Sequence, residues 1–227
     1  MQTMMQQPLV QQPLRQDLTR VFSAMPGYQV YEYQLVLALP ESLKEKLRKA
    51  KIQLYENNGW PMPKSQAIFL PLVKFRQRQL LEEKVLRSLN QLIMGWRPFS
   101  ITLKDYKSQP THSIVIPVAS RNDSTAQVGL AASQRDLKTI QHLLRPDREH
   151  PAWFPQEHQV VLASRLGAAQ FEKAWQQYAP RHFTGQCLVD ACLLLKRKSG
   201  DLHWQIAQRF EFRDLPVGVR QGNLFEA

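Results

Sequence analysis

The stretch Tyr31-Glu32-Tyr33-Gln34-Leu35-Val36-Leu37-Ala38-Leu39-Pro40 decides the architecture. Tyr31, Tyr33, Leu35, Leu37 and Leu39 recur at every second residue, the period of a strand that buries one face, and Pro40 closes the run. Directly after it, Ser42-Leu43-Lys44-Glu45 has the form of a capping box, and Leu43, Leu47, Ala50 and Leu54 fall at helical spacing. A strand that runs straight into a helix sets the rhythm for the rest of the chain.

Downstream, Asn57-Asn58-Gly59 with Pro61 and Pro63 marks a turn, and residues 66–73 read as a second strand. Leu81, Val85, Leu89 and Leu92 trace a second helix closed at Gly95. Phe99, Ile101 and Leu103 alternate again, residues 114–118 form a short apolar strand, and a helix is expected over about 126–144. The second half repeats this logic, with strands at 159–163 and 187–195, a helix at 171–178, and a final alternating strand through Trp204, Ile206, Phe210 and Phe212. Strands separated by helices in both halves predict an α+β fold, built as two similar lobes of antiparallel-rich sheet with outer helices. The expected organisation is a Gln/Met/Pro-rich tail over 1–26, a folded unit over 27–213 and a C-terminal tail over 214–227.

At 227 residues, 43% hydrophobic and 22% charged, the chain holds enough apolar side chain for a core, which excludes global disorder. No apolar run approaches the roughly 20 residues of a membrane span, so no membrane association is expected. Cys187 and Cys192, five residues apart in an extended segment, would lie about 16 Å apart, beyond disulfide reach. They read as thiols of a reduced, cytoplasmic protein. No CxxC, HExxH, GxGxxG or Walker-type loop occurs, so neither a metal nor a cofactor is expected. The balance of 30 Lys+Arg against 19 Asp+Glu, a net charge of +11, favours anionic partners without naming one. Much of that excess lies between Lys44 and Arg87, as a solvated face or a nucleic-acid surface.

Several segments, in order, carry a resemblance: Tyr33 to Pro40 with its helix, Pro63-Lys-Ser-Gln-Ala-Ile-Phe-Leu-Pro71, Pro98 to Leu103, Phe154-Pro-Gln-Glu-His158-Gln-Val-Val-Leu-Ala163, and Leu193-Leu-Leu-Lys-Arg197 before a Trp204-bearing last strand. Together they resemble the 2'-5' RNA ligase superfamily, the 2H phosphoesterases, over about residues 29–212. The resemblance implies two His-x-Thr/Ser motifs, one per lobe, facing each other across a central cleft. A His and a hydroxyl two residues on share one strand face, so each motif sets a proton carrier beside a phosphate donor. One His then serves as general base and the other as general acid, for metal-free chemistry on 2'-linked or cyclic phosphodiesters.

Both motifs depart from that pattern. Aligned on Pro71, the first motif has Gln66 in place of the His and Ile68 in place of the hydroxyl, and a one-residue shift gives Ala67 and Phe69. In the second, His158 matches the His while Val160 replaces the hydroxyl. A positioned acid or base is worth about 10²- to 10⁴-fold in rate, so a glutamine in that role removes such a factor. The resemblance therefore implies a degenerate member binding RNA ends or a small nucleotide through His158, Gln66 and basic groups. The alternatives are an active cyclic or 2'-5' phosphodiesterase using His158, and a protein-interaction module on a vestigial cleft.

Arg165, Lys196 and Arg197, near strand ends that the resemblance places around the cleft, are candidate phosphate contacts, with surface charge as the alternative. Trp60 and Trp153, flanked by prolines in loops, are candidates for base stacking, whereas Trp175 and Trp204 have the periodic neighbours of core residues. His182-Phe183-Thr184 is the one literal His-x-Thr, but it lies where a loop enters a strand, and His112 precedes one. Either could partner His158.

Overall fold

The computed structural model describes residue 25, residues 27–119 and residues 124–215. Nearly all of both expected tails lies outside these residues. Nine strands and four helices follow in the order β1 (Val30–Leu37), α1 (Glu41–Asn57), β2 (Pro71–Arg78), α2 (Glu82–Ile93), β3 (Phe99–Lys104), β4 (Lys107–Gln109), β5 (Ser113–Pro117), α3 (Ser124–Thr139), β6 (Gln159–Ala163), α4 (Ala168–Tyr178), β7 (Thr184–Val189), β8 (Ala191–Lys198) and β9 (Gln205–Glu211) among the described residues. The fold is α+β with antiparallel sheets, as the strand-helix rhythm implied.

The first sheet has the strand order β2-β1-β8-β9, all antiparallel. The second is split into β7-β3 and β4-β5-β6. Its parts are stitched by a bridge between Leu103 and Val118 and by the Ala119 amide donating to the Thr102 carbonyl at 2.7 Å. Asp105, with φ of +55°, bends the chain between β3 and β4, so those two strands follow one edge of β5. The result is a second antiparallel layer in which β6, β5, the bent β3/β4 and β7 take the places of β2, β1, β8 and β9.

The helices tie the layers together. α1 connects two strands of the first sheet but packs on β6 and β7 of the second, while α3 connects two strands of the second and contacts both β3 and β2. Close approach requires a glycine at one of these crossings, since a Cβ on Gly129 in α3 would lie 2.6 Å from the Phe99 ring. Leu35, Leu47, Leu54, Leu72, Leu89, Ile101, Ile114 and Val160 are wholly buried in one continuous core between sheets and helices. Burial of side chains of this size is worth about 1.5–3 kcal/mol each before entropy is subtracted, which is what holds the two layers together.

Three expectations are corrected. The capping box at Ser42 does not form, because α1 begins two residues earlier, with Pro40 as its N-cap in an extended conformation and without a side-chain cap. Glu41 and Glu45 instead pair with Arg48. The strand expected at 66–73 is β2 at 71–78, because the run 66–70 lies outside any strand, touching the sheet where its Leu70 carbonyl accepts from the Leu37 amide at 3.0 Å, and its residues Ile68 and Leu70 go into the core. The single strand expected at 187–195 is two. Asp190 separates β7, paired with β3, from β8, paired with β1, so the chain changes sheets at that residue.

Candidate functional site

β2 and β6 are corresponding strands of the two layers, and each pairs with its inner neighbour through a bulge. Leu35 opposes Val73 and Val36 opposes Pro71, leaving Leu72 extra. Ile114 opposes Ala163 and Val115 opposes Val161, leaving Leu162 extra. Aligning the bulges sets Pro71 with Val161, Leu70 with Val160, Phe69 with Gln159, and Ile68 with His158. The two strands then alternate in step. Ile68 and Leu70 just before β2 and Leu72 within it point into the core, as do Val160 and Leu162 of β6. Pro71, Lys74, Gln159 and Val161 line the opposite side.

Between these opposite sides lies a cavity of about 590 Å³, walled by Pro71 and Lys74 from β2, by Gln159 and Val161 from β6, and by Lys107 and Trp153. Trp153 hydrogen-bonds reciprocally with Lys74, N–H to carbonyl at 2.7 and 2.9 Å, so the loop before β6 is hooked onto the edge of β2. The Lys74 ammonium sits 5.1 Å from the centroid of the half-exposed Trp153 ring. Burial and, secondarily, the charge of Arg197 push the Lys74 pKa down. Gln159 contributes a side-chain oxygen that is buried and has no hydrogen-bond partner. An unfilled acceptor of this kind costs about 1–3 kcal/mol until a donor reaches it. Among the described residues that line the cavity there is no histidine.

His158 faces the other way. It lines an adjoining cavity of about 560 Å³ on the helix side of β6, against Val118 and against Leu130, Ala131 and Gln134 of α3. Among the described residues the two cavities share Lys107, Gln156 and Glu157, where Lys107 pairs with Glu157 at 2.8 Å. The His158 Nδ1–H donates to the Pro71 carbonyl at 3.3 Å, which ties the start of β6 to the start of β2. Burial pushes the His158 pKa below its ordinary value, against the smaller opposing effect of that carbonyl, so the ring is held neutral.

The remaining candidates are scattered. Gln66 is exposed in the segment before β2, and Ile68 and Val160 are core residues. Arg165 is exposed at a left-handed φ of +58° just past β6. Lys196 and Arg197, being consecutive on β8, point to opposite faces. Lys196 turns away from Lys74 to pair with Glu82 over the Tyr31 ring. Arg197 shares Glu32 with Arg76, at 2.7 and 3.1 Å, and stacks on Trp204 at 4.4 Å. These hydrogen bonds lower the Glu32 pKa despite its burial, the largest single influence, which acts the other way. Trp60 packs edge-on against Tyr55 at 5.6 Å, beside the core. His182 is exposed and pairs with Asp105, and His112 stacks on Phe171. Of the sequence candidates, Trp153 alone lines the cavity between β2 and β6, and Lys74 and Gln159 join it there. Lys74 carried a legible signal, since Lys74, Arg76 and Arg78 alternate with buried Val73, Phe75 and Gln77. Gln159 carried none.

Comparison with known proteins adds a fold to this geometry. No family model matches the chain, and no curated protein matches it in sequence. Among solved structures, E. coli LigT complexed with 3'-AMP superposes with a TM-score of 0.53 at 15% identity, over 81% of this chain and 99% of that one. TT0787 of Thermus thermophilus does so with a TM-score of 0.51 at 18% identity, over 80% and 98%. Among the described residues no helix is long and apolar enough to cross a membrane. The two-layered antiparallel architecture of this chain is thus the fold of LigT and TT0787, the fold that the sequence resemblance to 2H phosphoesterases implied.

Proposed function

We propose that the protein is a degenerate 2H phosphoesterase-like nucleotide binder, holding an RNA end or a small nucleotide between β2 and β6 without efficient turnover. One observation carries this reading: the cavity offers a cation, an indole face and an unsatisfied amide oxygen, but no imidazole among the described residues. Lys74 suits a phosphate, Trp153 suits a base, and the Gln159 oxygen accepts from a base amino group or a ribose hydroxyl. Without a pair of histidines facing the ligand, the factor of about 10²- to 10⁴-fold supplied by each positioned imidazole acid or base is lost. Solved structures of E. coli LigT with phosphate, ATP and 3'-AMP support an anionic ligand of nucleotide size in this fold.

The test is to titrate the protein with 3'-AMP and with an RNA ending in a 2',3'-cyclic phosphate, while assaying turnover of the latter. Salt-sensitive binding without turnover is expected, weakened about 10- to 150-fold by Lys74→Ala, the value of a charge-assisted hydrogen bond. Turnover abolished by His158→Ala would instead establish a working phosphodiesterase on the helix side of β6. Absence of binding to either ligand would leave a protein partner as the better reading.

A further inference from the structure

A second cavity opens on the same face of the first sheet. It measures about 440 Å³ and is lined by Glu32, Gln34, Lys74, Arg76, Arg197 and Trp204, with the segment 149–151 above it. It shares the Lys74 side chain with the cavity between β2 and β6. Each cavity thus pairs one indole with one cation, Trp153 with Lys74 at 5.1 Å and Trp204 with Arg197 at 4.4 Å. Trp204 reads from the sequence as a core residue, yet it is only half-buried and stands on the rim of this face.

The register gives the spacing of these groups. Trp153 bridges to Lys74 on β2, Lys74 lies opposite Gln34 on β1, and Gln34 lies opposite Leu195 on β8, the strand that carries Arg197. Three strand steps span about 14 Å, and Arg197 lies two residues, about 7 Å, further along β8 from Leu195, so one base cannot lie on both indoles. Arg76 and Arg197 flank Glu32 from either side, Lys74 adds a third positive charge, and Glu149 in the segment above adds a second negative one, which leaves three positive charges against two negative. The floor between the indoles therefore keeps net positive charge after its internal pairing. Stacking faces separated by a cationic floor are what a single-stranded nucleic acid requires.

We propose that Trp204 forms a second base-stacking subsite, so that the ligand is a single-stranded oligoribonucleotide of at least two nucleotides. It lies across the first sheet with one base at Trp153, one at Trp204, and its linking phosphate over Lys74. This rests on the nucleotide reading of the cavity between β2 and β6.

The experiment measures the affinity of the full chain for 3'-AMP and for a fluorescein-labelled penta-adenylate, in the wild type, Trp204→Ala and Trp204→Phe. The pentamer is expected to bind more tightly than 3'-AMP. Trp204→Ala should weaken the pentamer about 5- to 150-fold, the value of one base stack, with 3'-AMP unchanged and Trp204→Phe close to wild type. Equal affinity of wild type and Trp204→Ala for the pentamer, with 3'-AMP still bound, overturns the second subsite and leaves the first reading standing. Failure of the wild type to bind either ligand overturns both. If Trp204→Ala and Trp204→Phe lose pentamer and 3'-AMP binding alike and melt at lower temperature, the indole acts structurally and the subsite falls.

Discussion

β2 and β6 occupy the same place in their sheets, carry a bulge at the same step and bury the same run of apolar side chains, yet they differ where they face the cavity between them. On the buried side Leu70 and Leu72 answer Val160 and Leu162, because the volume between sheets and helices admits only close-packed apolar groups. On the cavity side β2 presents a ring and an ammonium, and β6 an amide and a half-exposed valine. Packing constrains the first side of each strand and leaves the second to be set by what binds there. The flanking charges differ as well. The first sheet holds Glu32 between two arginines in a half-buried cluster, while the second carries the exposed pair Lys107 and Glu157.

The largest test of this contrast is truncation on the two sides of the strands. Leu72→Ala and Leu162→Ala should each cost about 2–5 kcal/mol in denaturant unfolding, whereas Val161→Ala should stay within about 0.5 kcal/mol. Similar losses at all three sites would break the two-sided picture.

A smaller effect separates the ion pairs. Glu32→Gln strands two guanidinium groups and should cost about 1–3 kcal/mol, while Glu157→Gln should cost under about 1 kcal/mol and lose that cost in high salt. Because the folded pKa of Glu32 is depressed, its contribution is complete above the unfolded carboxylate value, about 4.3, and is lost as pH falls through the folded value. An acid-unfolding curve of Glu32→Gln should accordingly be flatter than that of the wild type in this range. Identical curves would remove Glu32 from the account.

The smallest effect is expected at the tie between the strands. His158→Ala should cost about 1 kcal/mol through loss of the bond to Pro71. The folded pKa of His158 is depressed, so the unfolded chain takes up a proton first as pH falls below about 6.5. Wild-type stability should therefore decline from about that pH down to the folded value, and His158→Ala should show less of this decline. A wild-type titration that rises on acidification would reverse the sign and place a charged imidazole in the fold.

Much of the fold was legible because burial leaves a period in the chain. β6 falls at residues 159–163 as expected, and the buried positions of α1, Leu43, Leu47, Ala50 and Leu54, are those of the helical spacing. The legible part of the site was smaller. The alternation that marks a strand at 71–78 is partly charged, and the more apolar 66–70 segment drew the strand assignment five residues early. In the second motif a step of one residue separates His158 from Gln159, and a step of one exchanges the two faces of a strand.

The sequence by itself determined the elements, their order, their two-sidedness and the class of fold, since each follows from local periodicity and turn chemistry. Only the tertiary structure decided which side of β6 meets β2 across a cavity and which meets α3. Period two defines two faces but does not say which a helix will cover when both carry apolar residues such as Val160 and Val161. It also decided that Trp153 reaches Lys74, 79 positions away in the sequence, and that Trp204 stands on the face of the first sheet rather than in the core. Such contacts are set by long-range strand pairing, which leaves no mark on the residues beside it.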